Sequence, residues 1–363
     1  MNANIHIFSN RLKLLHFPKA YLNHCAAAII RSCFFNYGPS EFFFNFTENS
    51  FEISIVAEAN IIDDEFLPLL LPVCNVEVSD EVYRVLQVDN NTGFDNAGKR
   101  VNDISEPLAN SSISIFYFST YQTDFVILKQ SRLHSVIATL RERGFTFSFS
   151  AEAPSPEQQQ HQITPPHTPV TTISTAAATV DSDALDNDEA SETSSTIATL
   201  QPLPPSSRPA YPDTTTLAGV QCSNVVLPAE LRCVGLSSEY MSQWALVLIK
   251  CLLYPDMIEG YDASPRFFSY TASVEGVSLV IDQHLLRCFD DYVLQMDSSE
   301  APYRLIQIDL GKYTLEKYGI IHSISTPLTK AGINLLYLST FKTANVLVSS
   351  LDFDRAQLCL LHK

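Results

Sequence analysis

Alternating apolar and polar positions between Ile113 and Leu128 predict two strands joined by a short exposed turn. This segment reads ISIFYFSTYQTDFVIL, with a break at Ser119-Thr120 and a polar stretch before the apolar run resumes. The pattern returns near the end of the chain, from Ile333 to Val348, as INLLYLSTFKTANVLV. Each copy follows a similar strand, YRVLQVD from Tyr83 and YRLIQID from Tyr303. We interpret the chain as an internal duplication.

The hydrophobic periodicity around the first copy predicts the order strand, helix, strand, strand, helix, strand. The predicted strands are 83–88, 112–119, 125–128 and 145–149, and the predicted helices lie at Val101 to Leu108 and Leu133 to Leu140. The preceding residues predict a strand from Ile5 to His16 with a candidate turn at Ser9-Asn10, a helix from Tyr21 to Phe35 and a hairpin from Phe42 to Ala57. The full order is that of a ferredoxin-like domain, the form taken by small regulatory ACT domains.

These elements predict an α+β fold of four tandem ferredoxin-like βαββαβ units of the ACT type, two in each half. The predicted limits are 1–75 and 76–150 in the first half, and 217–297 and 298–363 in the second. Residues 151–216 are rich in Pro, Ser, Thr, Gln and acidic residues, a composition that buries too little surface to offset its ordering entropy. We expect a long disordered linker there.

Composition and charge exclude several classes of protein. The net charge of -17 argues against a nucleic-acid partner, because such partners require clustered Lys and Arg. The densest apolar stretches, Cys25 to Ile30 and Phe66 to Val73, are far shorter than the ~20 residues of a membrane span. No long apolar core with a cleavage site is present near the N-terminus, so we expect a cytosolic protein. The eight cysteines include no C-x-x-C pair and are expected to be reduced core residues.

Common catalytic motifs are absent from the sequence, including the Gly-rich phosphate loop, H-E-x-x-H and G-x-S-x-G. The nine histidines are scattered, and the adjacent His24 and Cys25 would point in different directions on a helix. We therefore predict a protein that is not an enzyme and that uses no cofactor or metal.

The residues Ser119 to Phe125, STYQTDF, closely resemble a segment of the CASTOR family. The resemblance extends over both halves, through the Tyr-Arg strands and the Pro-Leu helices, and leaves out only the linker. Members of that family are cytosolic arginine sensors built from four ACT domains. The resemblance implies a homodimer that represses signalling by binding the GATOR assembly, which activates the TOR kinase pathway. Arginine would release the homodimer from GATOR.

The family's partner-binding surface falls on Tyr121, Gln122 and Asp124 in this chain. A Tyr supplies rigid amphipathic contact area, and Gln and Asp supply directional hydrogen bonds at a turn that we expect to be exposed. The alternative interpretation is that these residues only form a stable hairpin.

The resemblance also implies an amino-acid site between the second and fourth ACT domains. Ser114 and Ile115 match the family's ligand contacts on the central strand, and Thr340 and Phe341 match the pair that supplies carbonyl groups. Other positions depart from the family pattern: Ala344 replaces an Asp, Lys317 a Glu, Thr314 a Gly and Ser111 a His.

Lys317 should repel a cationic ligand, because a guanidinium group requires a carboxylate. Glu316, one position away, would restore arginine binding if the loop is shifted by one residue. Otherwise Lys317 would favour a ligand with an acidic side chain. The candidate ligand-binding residues are Ser114, Ile115, Thr314, Glu316, Lys317, Thr340 and Phe341.

The sequence thus predicts an amino-acid sensor in which a ligand between two ACT domains changes the availability of the Tyr121 turn. Two alternatives remain open. One is an interaction protein with the same fold and partner surface that has lost amino-acid binding. The other is a regulatory subunit of an amino-acid biosynthetic enzyme such as aspartate kinase, which co-purification with a metabolic enzyme would favour.

Overall fold

The structure, a computed structural model, describes most of both duplicated halves. Described are residues 3–35, 41–89, 96–150, 213–217, 220–262, 265–297, 299–311, 315 and 317–361, with the backbone alone for 213–223 and 361. The described residues form one compact body. Residues 151–212 of the predicted linker lie outside the described residues.

The described residues form β-strands and α-helices that we number in chain order. The strands are β1 (Asn4–Ile7), β2 (Leu12–Phe17), β3 (Phe43–Glu48), β4 (Ile53–Glu58), β5 (Glu77–Val78), β6 (Tyr83–Val88), β7 (Ile115–Ser119), β8 (Asp124–Lys129), β9 (Thr146–Phe149), β10 (Asp213–Leu217), β11 (Val220–Leu236), β12 (Phe268–Ser273), β13 (Gly276–Asp282), β14 (Leu294–Gln295), β15 (Tyr303–Asp309), β16 (Leu335–Ser339) and β17 (Thr343–Ser349). The helices are α1 (Ala26–Phe34), α2 (Ala59–Ile61), α3 (Leu67–Leu70), α4 (Ala97–Asn110), α5 (Leu133–Glu142), α6 (Met241–Leu253), α7 (Gln283–Leu286), α8 (Ile320–Lys330) and α9 (Phe353–Leu361).

These elements repeat the predicted order four times. Repeat 1 (residues 12–78) contains β2, α1, β3, β4, the helical segment α2–α3 and β5. Repeat 2 (83–149) contains β6, α4, β7, β8, α5 and β9, and repeat 3 (231–295) contains the end of β11, α6, β12, β13, α7 and β14. Repeat 4 (303–361) contains β15, α8, β16, β17 and α9, and the beginning of β11 supplies its last strand position.

Repeats 2 and 4 share one continuous sheet. Its strand order is β9-β1-β6-β8-β7-β16-β17-β15-β11-β10. The two repeats meet where β7 pairs with β16, with Phe118 opposite Leu338. We call this contact the β7–β16 junction, and it places the central strands of two repeats side by side.

Repeats 1 and 3 share a second sheet, with the order β5-β2-β4-β3-β12-β13-β11-β14. Strand β11 is common to both sheets, because its residues 224–227 pair with β15 and its residues 231–236 pair with β13. The pairing is irregular between Leu227 and Leu231, where the strand leaves one sheet and enters the other.

The alternation of side chains along the strands produces three cores. Phe116 and Phe118 of β7 lie in the core between the two sheets, whereas Tyr117 faces the helices. Helices α4, α5, α8 and α9 cover the outer face of the sheet of repeats 2 and 4, and α1 and α6 cover that of repeats 1 and 3. Strand β2 also pairs with β6, with Leu12 opposite Tyr83, so the two sheets join at both sides into a closed barrel between two helical layers.

The structure departs from the predicted boundaries at the beginning of the first unit and at the end of the linker. The predicted strand from Ile5 to His16 is broken after Ile7, and β1 pairs with β6 and β9 of repeat 2. The sequence predicts a linker up to residue 216, whereas Asp213–Leu217 form β10 beside β11. Period-two alternation marks a strand but does not identify its neighbour, so the sequence carries no signal for either pairing, and the predicted linker limit at residue 216 was wrong. The other predicted domain limits remain predictions.

Across the described ranges, no helix combines the length and the apolar character that spanning a bilayer requires.

Candidate ligand site

A pocket opens between repeats 2 and 4, beside the β7–β16 junction. Its empty volume is about 580 Å³, a figure that includes the open mouth. Repeat 2 contributes the start of β7 and one residue of α4, and repeat 4 contributes the loop before α8, the first turn of α8 and the β16–β17 turn. The lining residues are Ser105, Ile113, Ser114, Ile115, Phe116, Leu310, Leu315, Lys317, Gly319, Ile320, Ile321, His322, Tyr337, Ser339, Thr340, Phe341 and Thr343.

Ser114 fixes one wall of this pocket. Its hydroxyl lies 2.9 Å from the carbonyl oxygen of Leu315 and 3.0 Å from that of Lys317, and it donates its single proton to this pair. The start of β7 is thereby tied to the loop of the other repeat. Each carbonyl keeps a second lone pair that could accept a hydrogen bond from a ligand amino group.

The N-terminus of α8 forms a second wall. Gly319 precedes the helix with φ of 80°, a left-handed conformation that a residue with a Cβ adopts only with strain. Ile320 and Ile321, the first two helical residues, line the pocket. The backbone N–H groups of a first helical turn lack partners within the helix and favour a negative group. This wall suits a carboxylate.

Basic and neutral groups dominate the described lining. Lys317 and His322 line the pocket, while no Asp or Glu does so among the described residues. The His322 ring is held by Asn102 of α4, with 3.2 Å between Nδ1 and Oδ1. Burial raises the pKa of Tyr337 well above its usual value, so this hydroxyl stays neutral. The described lining therefore offers no countercharge to a guanidinium group.

Ser105 was not among the predicted ligand residues. It lies on α4, lines the pocket and is 2% exposed, and its buried hydroxyl has no hydrogen-bond partner in the structure. A buried polar group without a partner is unfavourable, so a ligand that bonded to it would gain affinity. The helical pattern of α4 marks Ser105 only as a residue of the face toward repeat 4, and carries no signal for binding.

The structure brings the described members of the predicted ligand set together. Ser114, Ile115, Lys317, Thr340 and Phe341 all line the pocket. Thr314 and Glu316 lie outside the described residues. A ligand role for each of these residues remains a prediction.

The β16–β17 turn, which closes one side of the pocket, is anchored on repeat 1. Glu52 is fully buried, and its Oε1 accepts hydrogen bonds from Thr340 Oγ1 at 2.7 Å and from Lys342 N at 2.8 Å. Its other oxygen lies 2.8 Å from His16 Nδ1. The His16 ring in turn lies 5.8 Å from that of Phe341. A pocket wall is therefore fixed by contacts to another repeat.

The corresponding β7–β8 turn, which carries the predicted partner-binding residues, packs against repeat 3. Tyr121 N donates to Ser278 Oγ at 2.9 Å, and Gln122 Nε2 donates to the Val277 carbonyl at 3.1 Å. Both side chains remain partly exposed. The turn lies over Gly235, where an added Cβ would stand 2.8 Å from the Tyr121 ring.

Asp124 does not lie at an exposed turn, so that expectation was wrong for this residue. It is 1% exposed, and its Oδ2 accepts a hydrogen bond from Arg100 Nε at 2.8 Å. Burial raises the pKa of Asp124 against the opposing effect of the Arg100 guanidinium. In this conformation Asp124 can act on a partner only by supporting the turn, and direct contact remains a prediction.

Comparisons with known proteins identify ACT-type sequence in repeats 2 and 4. A family model for the ACT domain matches residues 78–142 and 298–361, which include most of repeats 2 and 4. The chain is 24% identical over 356 residues to the human protein named cytosolic arginine sensor for mTORC1 subunit 1, covering 95% of this chain and 93% of the human one. The mouse protein of that name is 24% identical over 357 residues, with 95% and 92% covered. The chain is similar to CASTOR-type ACT proteins along nearly its whole length.

Among solved structures, an aspartate kinase from Synechocystis is similar to this chain. The alignment covers 98% of this chain and 54% of the kinase chain, at 8% identity and a TM-score of 0.34.

In the described part of the chain, no group of three or more His, Cys, Asp or Glu residues is arranged to hold a metal ion.

Proposed function

We propose that this chain is a non-enzymatic amino-acid sensor of the ACT type, acting in the cytosol as a homodimer. An amino acid in the pocket between repeats 2 and 4 would control a protein interface at the β7–β8 turn. The partner would be a GATOR-type complex that regulates TOR signalling. The observation that carries this proposal is the pocket, which lies between the two repeats that match the ACT domain.

The pocket would hold the two charged groups of an amino acid at separate places. The α-carboxylate would meet the first turn of α8, where helix N–H groups favour negative charge. The α-amino group would meet the carbonyls of Leu315 and Lys317, beside Ser114. This division supports an amino acid over a purely apolar ligand.

The ligand side chain would be neutral or acidic. A cationic side chain would find Lys317 and His322 and no carboxylate within the described lining. Free arginine is therefore a weaker candidate than an apolar or acidic amino acid. The aliphatic residues Ile113, Ile115 and Leu310 provide the apolar part of the lining.

Strand β7 connects the pocket with the turn. Its first residue, Ile115, lines the pocket, and its last residue, Ser119, leads into the turn that packs on repeat 3. A ligand that favoured one arrangement of the β7–β16 junction would shift the population of turn conformations. Tyr121 and Gln122 would then be less available to a partner.

The first experiment measures thermal stability of the full chain with each proteinogenic amino acid at millimolar concentration, since a ligand that binds the folded state raises the midpoint. We expect a neutral or acidic amino acid to raise it, with a smaller effect in Ser114→Ala. Ser242→Ala, an exposed serine on α6, is the matched control and should respond as the wild type does. If no amino acid changed the midpoint, the constitutive interaction protein would be favoured.

A second experiment identifies the partner by affinity purification and mass spectrometry, with and without that amino acid. We expect a GATOR-type complex whose recovery depends on the amino acid and falls in Tyr121→Ala. Recovery of an amino-acid biosynthetic enzyme instead would favour the regulatory subunit. Recovery of the GATOR-type complex regardless of the amino acid would contradict ligand control.

A further inference from the structure

The internal duplication gives the pocket a counterpart on the other side of the β7–β16 junction. The copies correspond without a gap from Tyr83 with Tyr303 to Leu128 with Val348, so β7 and α4 match β16 and α8. The counterpart therefore lies between the start of β16 and the first turn of α4.

An ion pair from within the chain lies in this counterpart. Ile320, which lines the pocket, corresponds to Arg100, and Ala344 corresponds to Asp124. The Arg100 Nε donates to Asp124 Oδ2 at 2.8 Å, and the two side chains are 8% and 1% exposed. Where the pocket is lined by Ile320, its counterpart has the Arg100 guanidinium group, bound to the carboxylate that stands in place of the buried Ala344.

We propose that this counterpart is a second ligand site, specific for a guanidinium group, which the chain fills with its own Arg100. A hydrogen bond ties the two repeats together here as Ser114 does at the pocket, although its direction is reversed. Asn334, the counterpart of Ser114, accepts a hydrogen bond from Gly98 N at 2.8 Å, so the start of β16 is tied to the start of α4. An added Cβ at Gly98 would lie 3.1 Å from the Leu335 side chain, which shows how closely the two elements approach.

The buried Asp124 carboxylate determines what this second site accepts. A buried carboxylate is stable only with a charged and hydrogen-bonded partner, and the planar guanidinium fork fits it better than an ammonium group. The pocket has neither group of this pair, so it stays open to a soluble ligand that is not a guanidinium compound. The claim that the pocket binds a soluble ligand rests on the proposed function. The assignment of the second site does not rest on it.

The test uses Arg100→Ala in the full chain, with guanidinium chloride and methylguanidine at low millimolar concentration as probes. Removing Arg100 should lower the thermal midpoint by several degrees, and either probe should recover most of that loss. Ethylammonium at equal ionic strength should recover little, because it lacks the fork. Wild-type protein, whose site is filled, should gain nothing from the probes.

Two further variants make the test decisive. Ile320→Ala opens similar space in the pocket without a carboxylate, and guanidinium should not raise its midpoint. Arg100→Ala combined with Asp124→Asn removes the buried charge, so this variant should fold without a probe and should not respond to one. Failure of guanidinium to stabilise Arg100→Ala, including a failure to restore folding, would overturn the proposal. Amino-acid binding by the wild type is measured separately, so either idea can fail alone.

Discussion

Ser119 and Ser339 accept equivalent hydrogen bonds across the β7–β16 junction, each from a backbone N–H of the opposite strand. Ser339 Oγ accepts from the backbone N–H of Tyr117 at 2.9 Å, and Ser119 Oγ accepts from that of Tyr337 at 3.1 Å. Side-chain oxygens thus replace backbone carbonyls where only Phe118 and Leu338 are paired. Both serines are nearly fully buried, so the two repeats are joined by a short symmetric contact that excludes water.

Removing either hydroxyl should weaken this junction. Ser119→Ala or Ser339→Ala leaves a buried backbone N–H without its partner, which costs about 1–3 kcal/mol of unfolding free energy. Urea denaturation of each variant measures the loss, and Ser242→Ala, which is exposed, should change stability by less than about 0.5 kcal/mol. A similar small change in both junction variants would show that the serines do not join the repeats.

Glu52 does not line the pocket, but it should affect ligand affinity because it anchors the β16–β17 turn. Glu52→Ala removes the acceptor for Thr340 and Lys342 and leaves His16 without its carboxylate, so we expect a loss of about 3 kcal/mol in unfolding free energy. Because the turn that it anchors lines the pocket, affinity for the bound amino acid should also fall. Chemical denaturation and calorimetric titration measure the two effects.

Asp64→Ala is the matched control for this prediction, because Asp64 is an exposed carboxylate of the same repeat. It should alter neither stability nor affinity appreciably. Ligand affinity in Glu52→Ala equal to that of the wild type would separate the anchoring of the turn from binding.

Gly235 should hold the β7–β8 turn in place by the absence of a side chain. A Cβ at this position would lie 2.8 Å from the Tyr121 ring and 3.1 Å from Gln122 Nε2. Gly235→Val should therefore displace the turn from repeat 3 and cost about 1–3 kcal/mol. Hydrogen exchange should increase over residues 119–124, and partner recovery should change with it.

Gly311→Ala provides the control for Gly235, because an added Cβ there meets only the end of the flexible Asp309 side chain. Unchanged exchange at residues 119–124 in Gly235→Val would mean that the turn does not depend on close packing against repeat 3.

The sequence predicted the repeated strands and helices because their hydrophobic periodicity is strong and occurs twice. It also placed Ser114, Lys317 and Thr340 at one site, since the resemblance fixes which repeats face each other. It did not predict the burial of Asp124, because a polar residue after a turn is exposed by default and its partner Arg100 lies on a helix. Nor did it predict the role of Gly235, since a close approach between repeats leaves no local pattern.

The ion pair of the second site should be transferable to the corresponding positions of repeat 4, Ile320 and Ala344. Ala344→Asp alone places an unpaired carboxylate at a fully buried position and should cost about 3–5 kcal/mol. Adding Ile320→Arg supplies the guanidinium from the position that corresponds to Arg100, so we expect a favourable coupling energy of about 2 kcal/mol in a double-mutant cycle. The double variant should fold yet no longer bind the amino acid, because its own arginine then occupies the pocket. Additive destabilisation by the two substitutions, or amino-acid affinity equal to the wild type in the double variant, would refute the correspondence between the two sites.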